Sequence, residues 1–494
     1  MITATTRARA TIAETLKPVF QQHMRPERLE LYPLGKKVGL GKKQHERKRR
    51  PYRRVWTPLV TVWGMVWQRL GQGATSEAVV SAFRSGSADD IEVGAEDRHR
   101  QPLSQRMRSE SNAGYIQARE RVPVEMIRLG RADIQASVAV AQAGGAHWRG
   151  HAVRLVDGTT YRMPACGDMP ATYGQASNQY GPSAWVIAKS VAAFCLFSRT
   201  LVGHAEGAWT VSEASLLMKV MQEDGDRESV YVGDIGYGHY QVVQVAHATG
   251  HPVVVRLDAR IARKMLRELG QPERPASGWE CPWTWQPDAN TVTEPGLPAP
   301  GIAGRLAYVR VMAPTGGWVD IYLFTTLTDA VAYPIAEVAA LYLRRWEAEL
   351  RYRDLKTTLG MEEFDVRSAS AFQRELEVGL LAFNLISSLM TLAALAAGVS
   401  LAQLSFTSCL RRIRDTMQYG LPAWVSREYA RPLDWLLERL AQCRLPSRHH
   451  KAPVEPRVVR RRPEVFPAFK GSRQDARRKL LAQVRDAVAE AVNS

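Results

Sequence analysis

The chain has 494 residues, 45% hydrophobic and 23% charged, which is enough for two or three domains and excludes a disordered polyelectrolyte. Its net charge of +17 is concentrated in two places: ten Lys or Arg against one Glu from Lys36 to Arg54, and twelve against three acids from Arg444 to Lys479. Five scattered cysteines (Cys166, Cys195, Cys281, Cys409, Cys443) with no C-x-x-C exclude a disulfide framework and a zinc knuckle, and point to a reducing, cytoplasmic setting.

Met1 to Gln22 lacks the apolar run of a signal peptide and reads as a short helical prelude, Ile12 to Gln22. After the first basic run, apolar residues at 56, 59, 60, 63, 67 and 70 predict an amphipathic helix whose tryptophans face a core. Residues 76–85 and 123–143 read as helices, with a polar loop from Gly86 to Arg108 between them. From His151 the period changes. Ala152–Val156 is a β-branched run ending at Asp157-Gly158-Thr159-Thr160, and Ala184–Phe197 and Thr200–His204 are further strands. Val211–Glu223 is a helix opened by Thr210. Ser229–Gly233 is a strand ending at Asp234, followed by a helix to Thr249, and Pro252–Leu257 is a strand. Strands interleaved with helices predict an α/β sheet.

Residues 258–317 break that rhythm with an Arg/Lys helix (Ala259–Leu269), the cluster Trp279, Trp283, Trp285, a Pro/Gly-rich loop and a strand, Leu306–Met312. The sheet resumes at Trp318–Leu327. Pro334 and Gly360 then bracket a helix over Tyr342–Lys356, and the chain stays helical to Leu440. Val378–Val399 has no charge over about 20 residues, the length of a membrane span. It carries Asn384, Ser387, Ser388 and Thr391, so a buried core helix is expected and no membrane.

At 100° per residue, Tyr342, Arg345, Glu349 and Lys356 share one face of that helix, joined by Arg353, while Glu347 and Asp354 fall on the other side. One carboxylate among three cations and a phenol is neither a core stripe nor an ordinary solvated one. Asp157 and Asp234, each ending an apolar strand at a glycine-bearing turn, are its candidate partners, with Asp168 and Asp258 as weaker rivals. Three carboxylates without a His/Cys cluster suit Mg²⁺, with Mn²⁺ as a substitute, and two such ions would serve phosphoryl transfer.

Tyr342, Arg345, Glu349 and Lys356 meet the spacing Y-x2-R-x3-E-x6-K without gaps, and here the chain resembles the DDE transposases of insertion-sequence family four. Asp157-Gly158-Thr159 resembles the first-acid motif. Asp234-Ile235-Gly236-Tyr237 resembles the second, with Ile235 in place of an Arg. Looser resemblance extends to Arg53–Leu70, Arg374–Ser387 and Glu455–Pro463.

The resemblance implies an α/β fold: a ribonuclease H-like catalytic core with a β-rich insertion, plus helical N-terminal and C-terminal regions. On that reading the chain divides into a mainly helical N-terminal DNA-binding region (1–145), the first part of the core (146–257), the insertion (258–317), the second part of the core (318–365), a helical region (366–440) and a basic tail (441–494). It implies cut-and-paste transposition of a mobile element, with Asp157, Asp234 and Glu349 as catalytic metal ligands. Tyr342, Arg345, Arg353 and Lys356 become contacts to DNA phosphates. Double-stranded DNA, as inverted-repeat ends and target, is the implied partner, with a homodimer in the synaptic complex at the nucleoid, and a hairpin intermediate is implied too. Tyr322, Trp318 and the Trp279–Trp285 cluster are candidates for stacking on a flipped base. The alternatives are a metal-dependent DNA nuclease of the same fold and a catalytically silent protein that binds transposon ends.

Overall fold

The computed structural model describes residues 55–71, 74–89, 101–142, 147–179, 181–312, 318–419, 425–429 and 431–445, with scattered positions between 472 and 485. The helical prelude, the basic run Lys36–Arg54 and the motif Glu455–Pro463 lie outside these residues, as does much of the Gly86–Arg108 segment.

Helix α1 (Pro58–Leu70) starts where Thr57 accepts a hydrogen bond from the Val60 amide, with Pro58 in the first turn, and it ends at Gly71. Trp56 and Trp63 are buried, as core residues should be. Helix α2 (Ser76–Arg84) is capped by Thr75 in the same way. A single helical turn, Leu103–Arg106, interrupts the expected loop, and two longer helices follow, α3 (Ala113–Arg121) and α4 (Val124–Ala141). α3 has little amphipathic contrast, since only Tyr115 and Ala118 are buried, so periodicity does not reveal it.

The sheet has eight strands: β1 (Val153–Pro164), β2 (Trp185–Cys195), β3 (Leu201–Ala208), β4 (Val230–Gly233), β5 (Val253–Arg256), β6 (Trp279–Trp285), β7 (Ile302–Met312) and β8 (Trp318–Thr325). Their order is β3-β2-β1-β4-β5-β8-β7-β6. β1, β4 and β5 are parallel, whereas β1–β2, β2–β3, β5–β8 and β6–β7 are antiparallel. This mixed sheet is the one expected of a ribonuclease H-like core, and the strands of the 258–317 segment extend it.

Two expected boundaries move. β1 does not stop at Asp157, because its antiparallel partner β2 runs beside it from Arg154 to Pro164 and keeps the backbone extended through Gly158 and the threonines. The helix after β3, α5 (Glu213–Glu223), is capped by Ser212, whose side chain accepts from the Ser215 amide; Thr210 lies outside it. Helices α6 (Tyr240–Thr249) and α7 (Ala259–Glu268) follow β4 and β5.

The apolar Val378–Val399 stretch, up to Ala396, belongs to helix α10 (Ala369–Ala396), which is long and apolar enough to cross a membrane but is packed inside the protein. Its polar residues are the reason it is at home there. Asn384 pairs both ways with the backbone of Leu201, at 2.7 and 2.9 Å, and Thr391 donates to the Ser198 carbonyl. Glu377, 1% exposed, receives Arg128 at 2.8 Å and Arg131 at 3.2 Å, with His204 at 3.7 Å. Glu375 receives Arg69 and Arg119. α10 thus ties the N-terminal helices to the sheet. A second compact unit, Met312–Val319 with Arg448–Ser494, has described helical residues between 474 and 485.

The neighbouring arginines hold the Glu377 carboxyl well below the usual glutamate range despite its burial. Replacing Glu377 by Ala strands Arg131 in the interior and is expected to cost about 3–5 kcal/mol at pH 7. A depressed folded pKa contributes stability above the unfolded value and loses it as pH falls, so the deficit should shrink in acid. Urea unfolding of both proteins at pH 7 and pH 3 checks this.

Candidate active site

The acids are brought level by strand register. Val153, Arg154 and Leu155 of β1 pair with Val230, Tyr231 and Val232 of β4. Continued two residues, that parallel offset sets Asp157 opposite Asp234. β4 ends at Gly233, and Asp234 caps a 3-10 turn, Ile235–Tyr237, by accepting from the Ile235 amide at 2.8 Å. On β1, Asp157 accepts from the Gly158 amide at 2.9 Å.

The third acid comes from a segment that is helical but not uniform. α8 (Ile335–Leu343) tightens into a 3-10 turn at Arg344–Trp346, continues as α9 (Glu347–Arg353), and widens into a π turn at Asp354–Thr358. This corrects the single regular wheel and splits the expected stripe. Tyr342, Arg345 and Glu349 stay together: the Tyr342 hydroxyl donates to Asp234 at 3.1 Å, and Arg345 Nη2 lies 3.6 Å from Asp234 and 2.8 Å from Glu349. Lys356, within the π turn, reaches β1, at 3.4 Å from Thr159 Oγ1 and 3.2 Å from the Thr160 carbonyl. Arg353 is exposed, and the charge it acts on is Asp354.

Other acids have structural roles. Glu347 pairs with Arg344 and Arg351, Asp258 caps α7, and Asp168 accepts from the Ala369 amide at the start of α10. Among the aromatic candidates, Tyr322 and Trp285 are buried, whereas Trp318 is 57% exposed.

Three more residues stand near the acids: Tyr237, which belongs to the Asp234 motif, and Tyr352 and Glu213, which the sequence did not single out. Tyr352, buried on α9, donates to the Asp157 carbonyl at 3.0 Å and so pins α9 to β1. Glu213 opens α5 beside Gly158. Tyr237 donates to Glu213 at 3.4 Å. The signal for Tyr352 was its place nearly one turn after Glu349 on the same helix; nothing in local periodicity marked Glu213.

Burial pushes the Asp157 carboxyl up to about 6. Its Gly158 hydrogen bond and Arg345 oppose the shift, and the charges of Glu349 and Glu213 add to it. Burial and the Asp234 carboxylate likewise raise Tyr342 to about 12, so it stays a donor at neutral pH.

Asp157, Asp234 and Glu349 offer oxygen alone, the donor chemistry of a hard divalent cation. Arg345 is the positive charge that Asp234 and Glu349 face here. Among the described residues no three His, Cys, Asp or Glu side chains are gathered closely enough to hold one ion. The set fits a hard cation in the kind of its donors, while Arg345 holds two of its members. A cavity of about 350 Å³ lined by Arg69, Thr357, Gly360, Glu375 and Arg414 includes none of the acids; a duplex backbone needs an open surface and not such a cavity.

Residues 148–385 match the family described as the transposase DDE domain. This stretch is a DDE transposase domain. Such a domain transfers phosphoryl groups on DNA, and the transposase binds DNA. The chain is 27% identical over 329 residues to the transposase InsG for insertion sequence element IS4 of Escherichia coli (strain K12), covering 65% of this chain and 70% of that protein. It is a distant homologue of that enzyme, which points to DNA transposition. A cryo-EM structure of the piggyBac transposase synaptic complex with hairpin DNA is also similar, with a TM-score of 0.39 and 10% identity over 87% of this chain and 85% of that one.

An acid held above its unfolded pKa loses stability as pH rises through the interval between the two values, here roughly 4 to 6. Asp157→Asn should therefore stabilise the DDE transposase at pH 8 in chelator, by about 1–3 kcal/mol. The gain should fade as pH drops toward 4. Thermal unfolding across that range measures it.

Proposed function

We propose that this protein is the transposase of an insertion sequence, cutting the element free at its inverted-repeat ends and joining it to target DNA. The reading is supported above all by the convergence of Tyr342 and Arg345 on Asp234, with Glu349 paired to the same Arg345, in a DDE domain where Asp234 stands level with Asp157. In it, Asp157, Asp234 and Glu349 would hold two Mg²⁺ ions, or Mn²⁺ in their place. These ions supply charge neutralisation and activation of oxygen at the scissile phosphate.

The chain's own residues do the rest. Asp157 and Asp234 are held by neighbouring backbone amides, so their oxygens are oriented before DNA arrives. Arg345 offers a planar fork of donors and, when Glu349 engages a cation, can turn to a phosphate. Tyr342 stays protonated at its station on Asp234 and donates to a nearby oxygen. Lys356, held on the β1 edge by Thr159 and Thr160, faces the backbone beyond the cleavage point as a point charge, and exposed Arg353 adds another. Water is the first nucleophile. The freed 3′-OH then attacks the opposite strand to close a hairpin, which is reopened before strand transfer. Concerted cutting of two ends calls for a homodimer in the synaptic complex. The basic arms, Lys36–Arg54 and Arg444–Lys479, suit the DNA flanking each site and a place at the nucleoid.

The test incubates purified full-length protein and Mg²⁺ with linear DNA carrying the inverted repeats that flank its own gene. Hairpin-ended excised DNA is expected. Glu349→Gln should lower cleavage at least about 100-fold, the upper end of the loss from changes one shell further out. End binding without cleavage, indifferent to Glu349→Gln, would overturn the proposal in favour of a silent end-binding protein. Hydrolysis without hairpins or joining would favour a nuclease. Lys356→Ala should weaken DNA binding uniformly across sequences and reduce the salt dependence of log K by about one unit.

A further inference from the structure

Glu213 is the first residue of α5, and Ser212 already caps that helix. A carboxylate in the first turn is favoured by the helix dipole wherever it points. Glu213 points somewhere specific. Its carboxylate lies against Gly158 so closely that a Cβ there would collide with it. Gly158 is the residue whose amide Asp157 accepts. The same carboxylate accepts from Tyr237, which is 2% exposed and closes the turn begun by Asp234: its amide donates to the Asp234 carbonyl at 2.9 Å. The Tyr237 ring also covers Gly233, where an added Cβ would sit 3.0 Å from Tyr237 Cβ.

One side chain thus touches the backbone beside one aspartate and the turn of the other. Gly158 carries the contact to Asp157, and Tyr237 carries it to Asp234. We infer that Glu213 is a positioning residue for both acids, holding the strand at Gly158 and the turn after Asp234 at a fixed separation so that the pair meets a divalent cation ready-spaced. This rests on the reading of Asp157 and Asp234 as a cation-holding pair. It also gives Gly158 a reason: the position must lack a side chain for the Glu213 carboxylate to reach the strand. The strand alone makes no such demand, since Gly158 is not among the glycines with positive φ.

Acting through position, Glu213 is replaceable by a residue of equal shape that still accepts the Tyr237 hydrogen bond. Glutamine does this; alanine does not. The measurement is Mn²⁺ affinity of the full-length protein without DNA, by electron paramagnetic resonance of the free ion, with thermal unfolding as a check on folding. Changes in outer-shell partners typically cost about 10–100-fold in metal affinity. Glu213→Ala is expected to weaken Mn²⁺ binding by about tenfold, toward the low end of that range. Glu213→Gln should stay within about threefold of the parent. Tyr237→Phe, which keeps the buried ring and removes the hydroxyl alone, should weaken binding in the same direction and decides the matter if the alanine variant fails to fold.

Asp157→Asn is the reference. If it loses affinity while Glu213→Ala and Tyr237→Phe bind as the parent does, the positioning role is wrong and the acid pair stands. Equal losses for Glu213→Gln and Glu213→Ala would also overturn it, because charge and not placement would be acting. If Asp157→Asn binds Mn²⁺ like the parent, the cation-holding pair itself fails and takes this inference with it.

Discussion

Everything about the candidate site depends on the short parallel pairing of β1 with β4. Three residue pairs, Val153–Leu155 with Val230–Val232, set the register that brings Asp157 level with Asp234. Register in a sheet is all or none: a slip by one residue turns every side chain to the opposite face. Val153, Leu155, Val230 and Val232 are all fully buried or nearly so, so a slip would drive polar neighbours into the core. The site inherits its precision from hydrophobic packing several residues away.

The long helix α10 fixes the surroundings in another way. Asn384 hydrogen-bonds the backbone of Leu201 as an extra strand would, and Glu377 gathers two arginines around a buried charge. Apolar burial alone is tolerant of sliding, whereas these directional contacts are not. Together they specify how the helices sit on the sheet that carries Asp157.

How much of this could be read from the chain follows from how local each signal is. Alternating β-branched runs and capped helices are local, and the main strands and the α10 core helix were legible, as was the union of Tyr342, Arg345 and Glu349. The end of β1 was not, because Gly158-Thr159-Thr160 is turn-like in isolation and is kept extended only by β2 alongside. Lys356 was placed with Glu349 on the assumption of one uniform helix; the tightened turn at Arg344–Trp346 and the widened one at Asp354–Thr358 are products of packing. Glu213 was invisible for a third reason. Its neighbours, Gly158 and Tyr237, lie 55 and 24 positions away in the chain, and a first-turn glutamate looks the same whatever it touches.

The widened turn after α9 has a consequence for how this chain can vary. A π turn is, in geometric terms, a helix that has absorbed one surplus residue. Losing the surplus residue would restore ordinary helical pitch and leave the chain beyond it facing nearly as it does now, whereas adding another would turn it by about 100°. The contacts at stake are those of Lys356 with Thr159 and Thr160 and the burial of Leu355 and Leu359. The segment is therefore asymmetric toward length change: a single-codon insertion there would be harsher than a single-codon deletion.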